Sequence, residues 1–550
     1  MQSPAPLMIS HLLRTPLANT PDQLIIHGDV LRYSYRQFRS RLGRLANALR
    51  KLGVGQGGVV GVLDWDSHRY LECYFALPMM GAVLHTVNIR LTPEQILYTI
   101  NHAQDDVLLI HVDFWDLWQS IAHRVTRRVK IVCLSDTTIF DENLTDLPEY
   151  ETLLAQSDPI FVFDDFDENT RATLFYTTGT TGAPKAVGYS HRQIVLHSLG
   201  FLATLAPVPG QGGLHRGDVY MPLTPLFHVH GWGFPYIATL LGLRQIYPGR
   251  YEPARLLALI AEHGVTFSHC VPTILNMLLS APESAGTDLS RWKVLIGGAA
   301  LTPALAQAAL KRGIDVHAAY GMSETCPLLS VADMMSTGQL GDAATKDSAA
   351  LETRIATGRA APLVEFQIWD ENQKVLPHDG QSVGQIVARA PWLTCGYINP
   401  SENDSNTSDL WHKGWLQTGD VGAITSDGTL QISDRLKDVI KSGGEWLSSL
   451  SLEQLATRVC GVTNAAAIGV PDSRWGERPC LGVEVLDHAQ QHFTKIESDI
   501  RAIFLREIEQ GRLPKWAMPD RIVAFDCLPK TSVGKIDKKA LRIIFAAVDT

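Results

Sequence analysis

At 550 residues the chain is too long for one ordinary core, and its 45% hydrophobic and 19% charged residues describe a globular protein, not a disordered one. A formal net charge of −9, with no long Lys/Arg run, argues against nucleic acid or an anionic membrane as partner. The eight cysteines (Cys73, Cys133, Cys270, Cys326, Cys395, Cys460, Cys480 and Cys527) lack the spacing of a zinc or redox motif and are expected to be mostly buried, reduced thiols.

The opening stretch, MQSPAPLMISHLLRTPL, lacks a basic n-region and a long apolar h-region. No later apolar run approaches the roughly 20 residues that span a bilayer, so a cytoplasmic protein without an integral membrane segment is expected. From residue 57 the chain alternates a strand-like run (GGVVGVLDW), a helical spacing ending at Gly81 (SHRYLECYFALPMMG) and a second strand (AVLHTV). This βαβ rhythm predicts mostly parallel sheets covered by helices.

The stretch LFYTTGTTGAPKAVGYSH, residues 174–191, packs small hydroxyl residues, glycines and Lys185 between two strand-like runs. Such a loop turns backbone N–H groups toward an anion and adds a point charge, which suits a polyphosphate. Composition alone leaves a flexible surface turn equally open. The P-loop pattern, in which the lysine and a hydroxyl residue lead straight into a helix, is not met, because Ala186 and a second strand follow. The helix begins later, with Ser190 as N-cap and Gln193 as its capping-box partner.

After residue 260 the rhythm returns: VTFSHC reads as a strand, PTILNMLLS as a helix and WKVLI as a strand. Thr302 and Pro303 then cap the helix PALAQAALKR, and IDVHAAY is the next strand. Gly297 to Ala300 and Tyr320 to Thr325 therefore fall just past the carboxyl ends of strands, where open α/β sheets bind ligands. Near residue 420 the character changes to a hairpin turning at Asp427-Gly428, then short strands (NAAAIGV, CLGVEVL, RIVAFD) and the helix KIESDIRAIFLREIEQ. The fold class expected is α/β: a large N-terminal domain of layered, mostly parallel sheets with helices, residues 1–434, and a small mobile α+β domain, residues 435–550. The joint lies around Asp434 to Asp438.

Five motifs occur in order: YTTGTTGAPK, YGMSET, TGD, SDRLKDVIKSGGEW and PKTSVGKIDKK. Together they resemble the adenylate-forming superfamily of acyl-CoA synthetases, luciferase and nonribosomal peptide adenylation domains, from about residue 31 to 542. The stretches GAVLHTVNIRL, HVHGW, SGGEWLSS and KTSVGKIDKKALR are most similar to the medium- and long-chain fatty acyl-CoA synthetase branch.

The resemblance implies an ATP-dependent, AMP-forming carboxylic acid–CoA ligase acting on a fatty or other small-to-medium aliphatic acid, with ATP, Mg²⁺ and CoA as cofactors and co-substrates, and a homodimer. Thr177, Thr178, Gly179, Thr180, Thr181, Gly182 and Lys185 would hold the β- and γ-phosphates, and Glu324 would coordinate Mg²⁺. Gly298, Ala299, Ala300, Tyr320, Gly321, Met322 and Ser323 would line the AMP site. Asp420 would take the ribose hydroxyls, with Arg435 on ribose or phosphate. Lys535, in a glycine-flanked loop, would contact the reacting carboxylate and α-phosphate during adenylation only, and Thr181, His228 and Glu324 complete the catalytic set. His228, Trp232, Val271, Gly297 and Gly321 would surround the acyl group. Lys437 would be the hinge about which the C-terminal domain rotates, bringing Lys441, Gly443, Gly444 and Trp446 to CoA.

From composition alone the lysines around residue 535 also read as a solvated helix start, His228 and Trp232 as core side chains, and Asp420 with Arg435 as a boundary ion pair. Ser323 replaces a threonine common in relatives, Gln385 stands where an acid is usual, and His230 is an added imidazole. His230 is expected to hydrogen-bond backbone, with a polar or short acyl group as the alternative role. An acyl-AMP ligase loading a carrier protein, a non-catalytic nucleotide-binding relative and a luciferase-like oxygenase are the rival readings.

Overall fold

The computed structural model describes residues 5–137, 146–177, 184–208, 213–334, 347–398, 410–442, 445–485, 493–530 and 536–547, without the side chains of Glu445, Trp446 and Ala547. The chain forms two compact units, one of Met1–Glu365 with Arg389–Trp411 and the other of Phe366–Ala388 with His412–Thr550.

Two sheets build the first unit. The six-stranded sheet runs Lys130–Leu134, Val107–His111, Val59–Leu63, Val83–Thr86, Arg171–Thr177 and Lys185–Ser190, parallel except at its last pair. The second sheet carries the parallel strands Phe267–Cys270, Lys293–Ile296 and Asp315–Gly321, continued on one side by the antiparallel Leu328–Val331. These strands read as unbroken apolar runs because helices or a facing sheet cover both sides.

Helix His68–Met79 shows how deep this layering goes, because every one of its residues is buried. Its two charges are consequently paired. Arg69 meets Asp64 at 2.9 Å and Asp136 at 2.7 Å. Glu72 meets Arg41 at 2.5 Å and accepts the Tyr150 hydroxyl at 2.6 Å. An unpaired charge there would cost several kcal/mol.

Local signals act as expected. Ser190 and Gln193 form a reciprocal capping box on helix His191–Leu205, and Thr302 caps helix Pro303–Lys311 by accepting from Leu305 N–H. Most of the cysteines are buried, as expected: Cys73, Cys133, Cys270, Cys326 and Cys480, with Cys395, Cys460 and Cys527 exposed.

The second unit contains strand Gly384–Arg389 up to Ala388 and the strands Trp415–Ile424 and Thr429–Arg435, the last two forming the hairpin expected at Asp427-Gly428. Its other sheet centres on the long antiparallel pair Val462–Asp472 and Gly476–Val485, flanked by Ile440–Ser442 and Arg521–Phe525. Helices Ser449–Ala456 and Phe493–Glu509 contribute to the core against this sheet, an α+β pattern. Among the described residues no helix is long and apolar enough to cross a membrane.

Candidate active site

Strands Arg171–Thr177 and Lys185–Ser190 are antiparallel partners with Thr177 opposite Lys185, so both ends of the segment between them are fixed side by side. Thr178, Gly179, Thr180, Thr181 and Gly182 lie in it and fall outside the described residues. Lys185 sits at its exit, with Nζ 5.0 Å from the centre of the Tyr397 ring.

Glu324 lies on the turn Ser323–Thr325 that follows strand Asp315–Gly321, and it is only 6% exposed. Its Oε1 accepts the Tyr397 hydroxyl at 2.5 Å, and its carbonyl accepts from Thr394 N–H at 3.2 Å. The Ser323 carbonyl accepts the Tyr189 hydroxyl at 2.7 Å, which ties this turn to the strand that starts at Lys185. Burial holds the Tyr189 phenol well above its usual pKa, so it remains a neutral donor. Only glycine fits at 321, where a Cβ would stand 1.9 Å from the Pro327 carbonyl oxygen.

Gly297, Gly298, Ala299 and Ala300 leave strand Lys293–Ile296 beside the parallel strand that ends in Tyr320 and Gly321. Gly297 is buried, whereas Gly298, Ala299 and Ala300 are exposed, with Gly298 at φ +77°. Tyr320 is 9% exposed. Both loops thus open from one carboxyl edge of adjacent parallel strands.

The stretch 229–233 adopts a conformation that sequence alone does not reveal. Val229, His230, Gly231, Trp232 and Gly233 all have positive φ, at 46°, 55°, 55°, 58° and 76°. Each non-glycine residue in that left-handed region costs about 1–2 kcal/mol, and such strain persists only where the surroundings over-determine it. Here they do. Asp66 Oδ1 accepts from Leu226 N–H at 2.8 Å, Thr86 Oγ1 donates to the Phe227 carbonyl at 2.9 Å, and Tyr74 donates to the Leu226 carbonyl. The half-buried His228 donates its N–H to the Pro225 carbonyl at 2.9 Å.

His230 departs from the expected backbone contact. Its Nε2 lies 2.7 Å from Thr173 Oγ1, and its ring packs edge-on against Phe175 and Tyr189. It is fully buried, and burial, reinforced by His228, lowers its pKa to about 3. It is a neutral core imidazole.

The left-handed turn also sets Trp232. A Cβ on Gly297 would meet the indole at 2.9 Å. The indole also neighbours the His269 ring, with centres 5.3 Å apart. His269 is itself engaged by Tyr220 at 2.9 Å and Thr224 at 3.0 Å. Val271, half-buried, leads helix Pro272–Ser280 out of the same strand that carries His269.

In the second unit, Asp420 and Arg435 face each other across the hairpin, with Nε and Oδ1 3.2 Å apart. Asp420 is 4% exposed, and its N–H is accepted by Thr418 Oγ1 at 3.1 Å. The ion pair read from composition is therefore present. Arg542 holds the next turn, donating to the Lys437 carbonyl at 3.3 Å and to Asp438 Oδ1 at 3.0 Å. Lys441 lies on strand Ile440–Ser442, where its N–H is accepted by Glu477 at 2.8 Å. Gly443, Gly444, the Trp446 side chain and Lys535 lie outside the described residues. Of the neighbouring lysines, Lys538 is committed to Glu453 at 2.6 Å and Lys530 approaches Glu484 at 3.9 Å.

Residues 13–398 match the model of the AMP-binding enzyme family, and residues 451–535 match that of its C-terminal domain. The chain belongs to this family. A long-chain-fatty-acid–CoA ligase of Thermus thermophilus is 37% identical over 94% of the chain and 90% of its own length. A 3-methylmercaptopropionyl-CoA ligase of Ruegeria lacuscaerulensis is also 37% identical, over 94% and 92%. The fold is that of a solved anthranilate CoA ligase in complex with anthranoyl-AMP, with TM-score 0.84 at 21% identity, covering 99% of both chains.

The five motifs carried this family's signal, but they omit the residues that hold the motifs in place. Asp66, Tyr74, Thr86, Thr173 and Tyr397 come from segments that read as ordinary strand, helix or loop. Their roles depend on long-range contacts, such as the Thr173–His230 hydrogen bond across 57 residues of sequence. The one local hint was the pair of close acids Asp64 and Asp66 at the end of an apolar strand.

Proposed function

We propose that this AMP-binding family member, an acid–CoA ligase, activates an aliphatic carboxylic acid with ATP and passes the acyl group to CoA. In the first half-reaction a carboxylate oxygen attacks the α-phosphorus, the bond to the α–β bridging oxygen breaks, and pyrophosphate leaves an acyl-adenylate. In the second, the CoA thiol gives up its proton, its sulfur attacks the acyl carbon, and AMP departs. One observation carries the assignment of the site: the lysine that closes the phosphate hairpin and the buried Glu324 share a single side chain, Tyr397, beside the carboxyl edge that bears Gly297 and Tyr320.

Lys185 and the 177–182 loop hold the polyphosphate, and Glu324 faces its cation. A buried carboxylate with a fixed plane suits a hard, oxygen-seeking ion such as Mg²⁺, which when bound neutralises polyphosphate charge. The AMP moiety lies along Gly298 to Ala300 and Tyr320 to Ser323, with Asp420 and Arg435 on its ribose. His228 lies by the carboxylate, and Trp232, Val271, Gly297 and Gly321 surround the acyl tail. Behind this wall His230 Nε2 is engaged by Thr173 and His269 by Tyr220 and Thr224, while His230 Nδ1 is buried without a hydrogen-bond partner among the described residues. The likeness to a long-chain-fatty-acid–CoA ligase supports the aliphatic tail. Residues 435–550 act as a lid pivoting at Lys437. The lid presents Lys535 for adenylation and Lys441, Gly443, Gly444 and Trp446 for thioester formation.

Mass spectrometry of products formed from ATP, Mg²⁺ and pooled short, long, branched and aromatic acids, with and without CoA, tests the reading. An aliphatic acyl-CoA formed only with CoA supports it. Acyl-adenylate that accumulates despite CoA overturns CoA as the acceptor and points to a carrier protein. Lys535→Ala is expected to abolish adenylation and to spare thioester formation from supplied acyl-adenylate; equal loss of both steps rejects the role given to Lys535.

A further inference from the structure

Tyr397 belongs to none of the recognised motifs, yet it touches two of them. Its hydroxyl donates to Glu324 Oε1 at 2.5 Å, and its ring lies under the Lys185 ammonium at 5.0 Å. A hydrogen bond that short to a carboxylate is charge-assisted and fixes the acceptor in orientation as well as position. A cation held over an aromatic face is attracted by the ring quadrupole, more strongly where water is excluded.

The segment that carries Tyr397 has no regular secondary structure, so its placement depends on other contacts. Ile398 N–H donates to the Ala186 carbonyl at 2.9 Å, alongside the start of the strand that Lys185 opens. Thr394 N–H donates to the Glu324 carbonyl at 3.2 Å, so the segment grips both the backbone and the side chain of that residue. Trp411 Nε1 donates to the Thr394 carbonyl at 2.9 Å, and its ring meets the Tyr397 ring edge-on at 5.5 Å. Gln193, the capping-box residue of the helix that follows the phosphate hairpin, donates to the Leu393 carbonyl at 2.6 Å. The tyrosine is therefore a rigid post, not a loop side chain that happens to lie nearby.

We propose that Tyr397 is a positioning residue of the ATP site, a single side chain that orients the Glu324 carboxylate through its hydroxyl and seats the Lys185 ammonium on its ring. This rests on the assignment of Glu324 and Lys185 to the ATP polyphosphate and its cation. The two functions use different parts of the side chain and are separable: phenylalanine keeps the ring and loses the hydroxyl, whereas leucine loses both.

The test measures Mn²⁺ binding to the full-length enzyme with ATP, by the electron paramagnetic resonance signal of free Mn²⁺, together with the Mg²⁺ and ATP dependence of pyrophosphate release. Tyr397→Phe is expected to weaken Mn²⁺ binding and raise the Mg²⁺ half-saturation about tenfold, the scale of one hydrogen bond to a charged group, with KM for ATP changed less than about twofold. Tyr397→Leu is expected to add a rise of about threefold to tenfold in KM for ATP, the scale of a cation–π contact. A merely structural role would lower thermal stability without this split between metal and nucleotide.

Glu324→Gln serves as the reference. If it weakens Mn²⁺ binding and Tyr397→Phe does not, the positioning role is overturned while the site assignment stands. If Glu324→Gln leaves Mn²⁺ binding unchanged, the assignment of Glu324 itself fails. Should Tyr397→Leu not fold, the phenylalanine variant still decides the hydroxyl's role.

Discussion

Gly297→Ala tests whether Trp232 is wedged against the floor of the site. The added Cβ would stand 2.9 Å from one indole carbon, 3.2 Å from a second and 3.2 Å from the Ala319 carbonyl oxygen. Ordinary carbon contacts begin near 3.5 Å. The indole must therefore retreat by roughly half an ångström or more, and its neighbour His269 is held by two hydrogen bonds. Its backbone is already in a left-handed turn and has little room to adjust. Overpacking of this kind costs about 1–3 kcal/mol. Trp232→Ala alone is expected to cost about 3–5 kcal/mol through the cavity it leaves.

In the double variant the alanine methyl no longer meets the indole and keeps only its 3.2 Å approach to the Ala319 carbonyl oxygen, so the two losses should fall short of additivity by about 1–3 kcal/mol. Urea unfolding followed by far-UV circular dichroism on the four proteins of the cycle measures this coupling. The acyl-CoA product profile should shift toward shorter acids in Gly297→Ala and back in the double variant. Additivity within about 0.5 kcal/mol would refute the wedge, because contacting residues that share a cavity do not behave independently.

Acid stability is predicted from the buried histidines. His27, His197, His230 and His269 are neutral in the fold, with burial lowering each to about 3 from an ordinary 6.5. Their contribution is full above pH 6.5 and is lost as pH falls toward 3, at about 2 kcal/mol each by pH 5. Asp66 runs the other way. Burial raises it to about 7, so its contribution is full below the ordinary carboxyl range and lost as pH rises through 7, which returns about 3 kcal/mol on acidification to pH 5. The histidines outweigh it, and cooperative unfolding is expected between about pH 4 and 6, against a typical total stability of about 5–15 kcal/mol. Persistence of native circular dichroism below pH 4 would contradict this. Thr173→Val is expected to leave His230 Nε2 buried without its partner and to cost about 1–3 kcal/mol, with Thr173→Ser largely restoring stability; equal urea midpoints for the two variants would show that the hydrogen bond contributes nothing.

Much of the architecture was legible in the chain because its signals are local. A capping serine and its glutamine lie three residues apart, the parallel strands are continuous apolar runs, and the Asp427-Gly428 turn needs only its own two residues to declare a hairpin. The family's motifs are also local, so Lys185, Glu324, Asp420 and Arg435 are proposed as site residues from contiguous sequence alone. Local chemistry also left ambiguities, and packing resolved some of them. His230 in an apolar stretch reads the same whether it faces a ligand or Thr173.

By itself, then, the sequence determined the α/β class, the order of the elements and the family, since these follow from periodicity, caps and contiguous motifs. Tertiary structure alone decided the left-handed turn at 229–233, the seating of Trp232 on Gly297 and the joining of Lys185 to Glu324 through Tyr397. Each of these depends on groups tens to hundreds of residues apart, whose energies are realised only when the intervening chain has folded and excluded water.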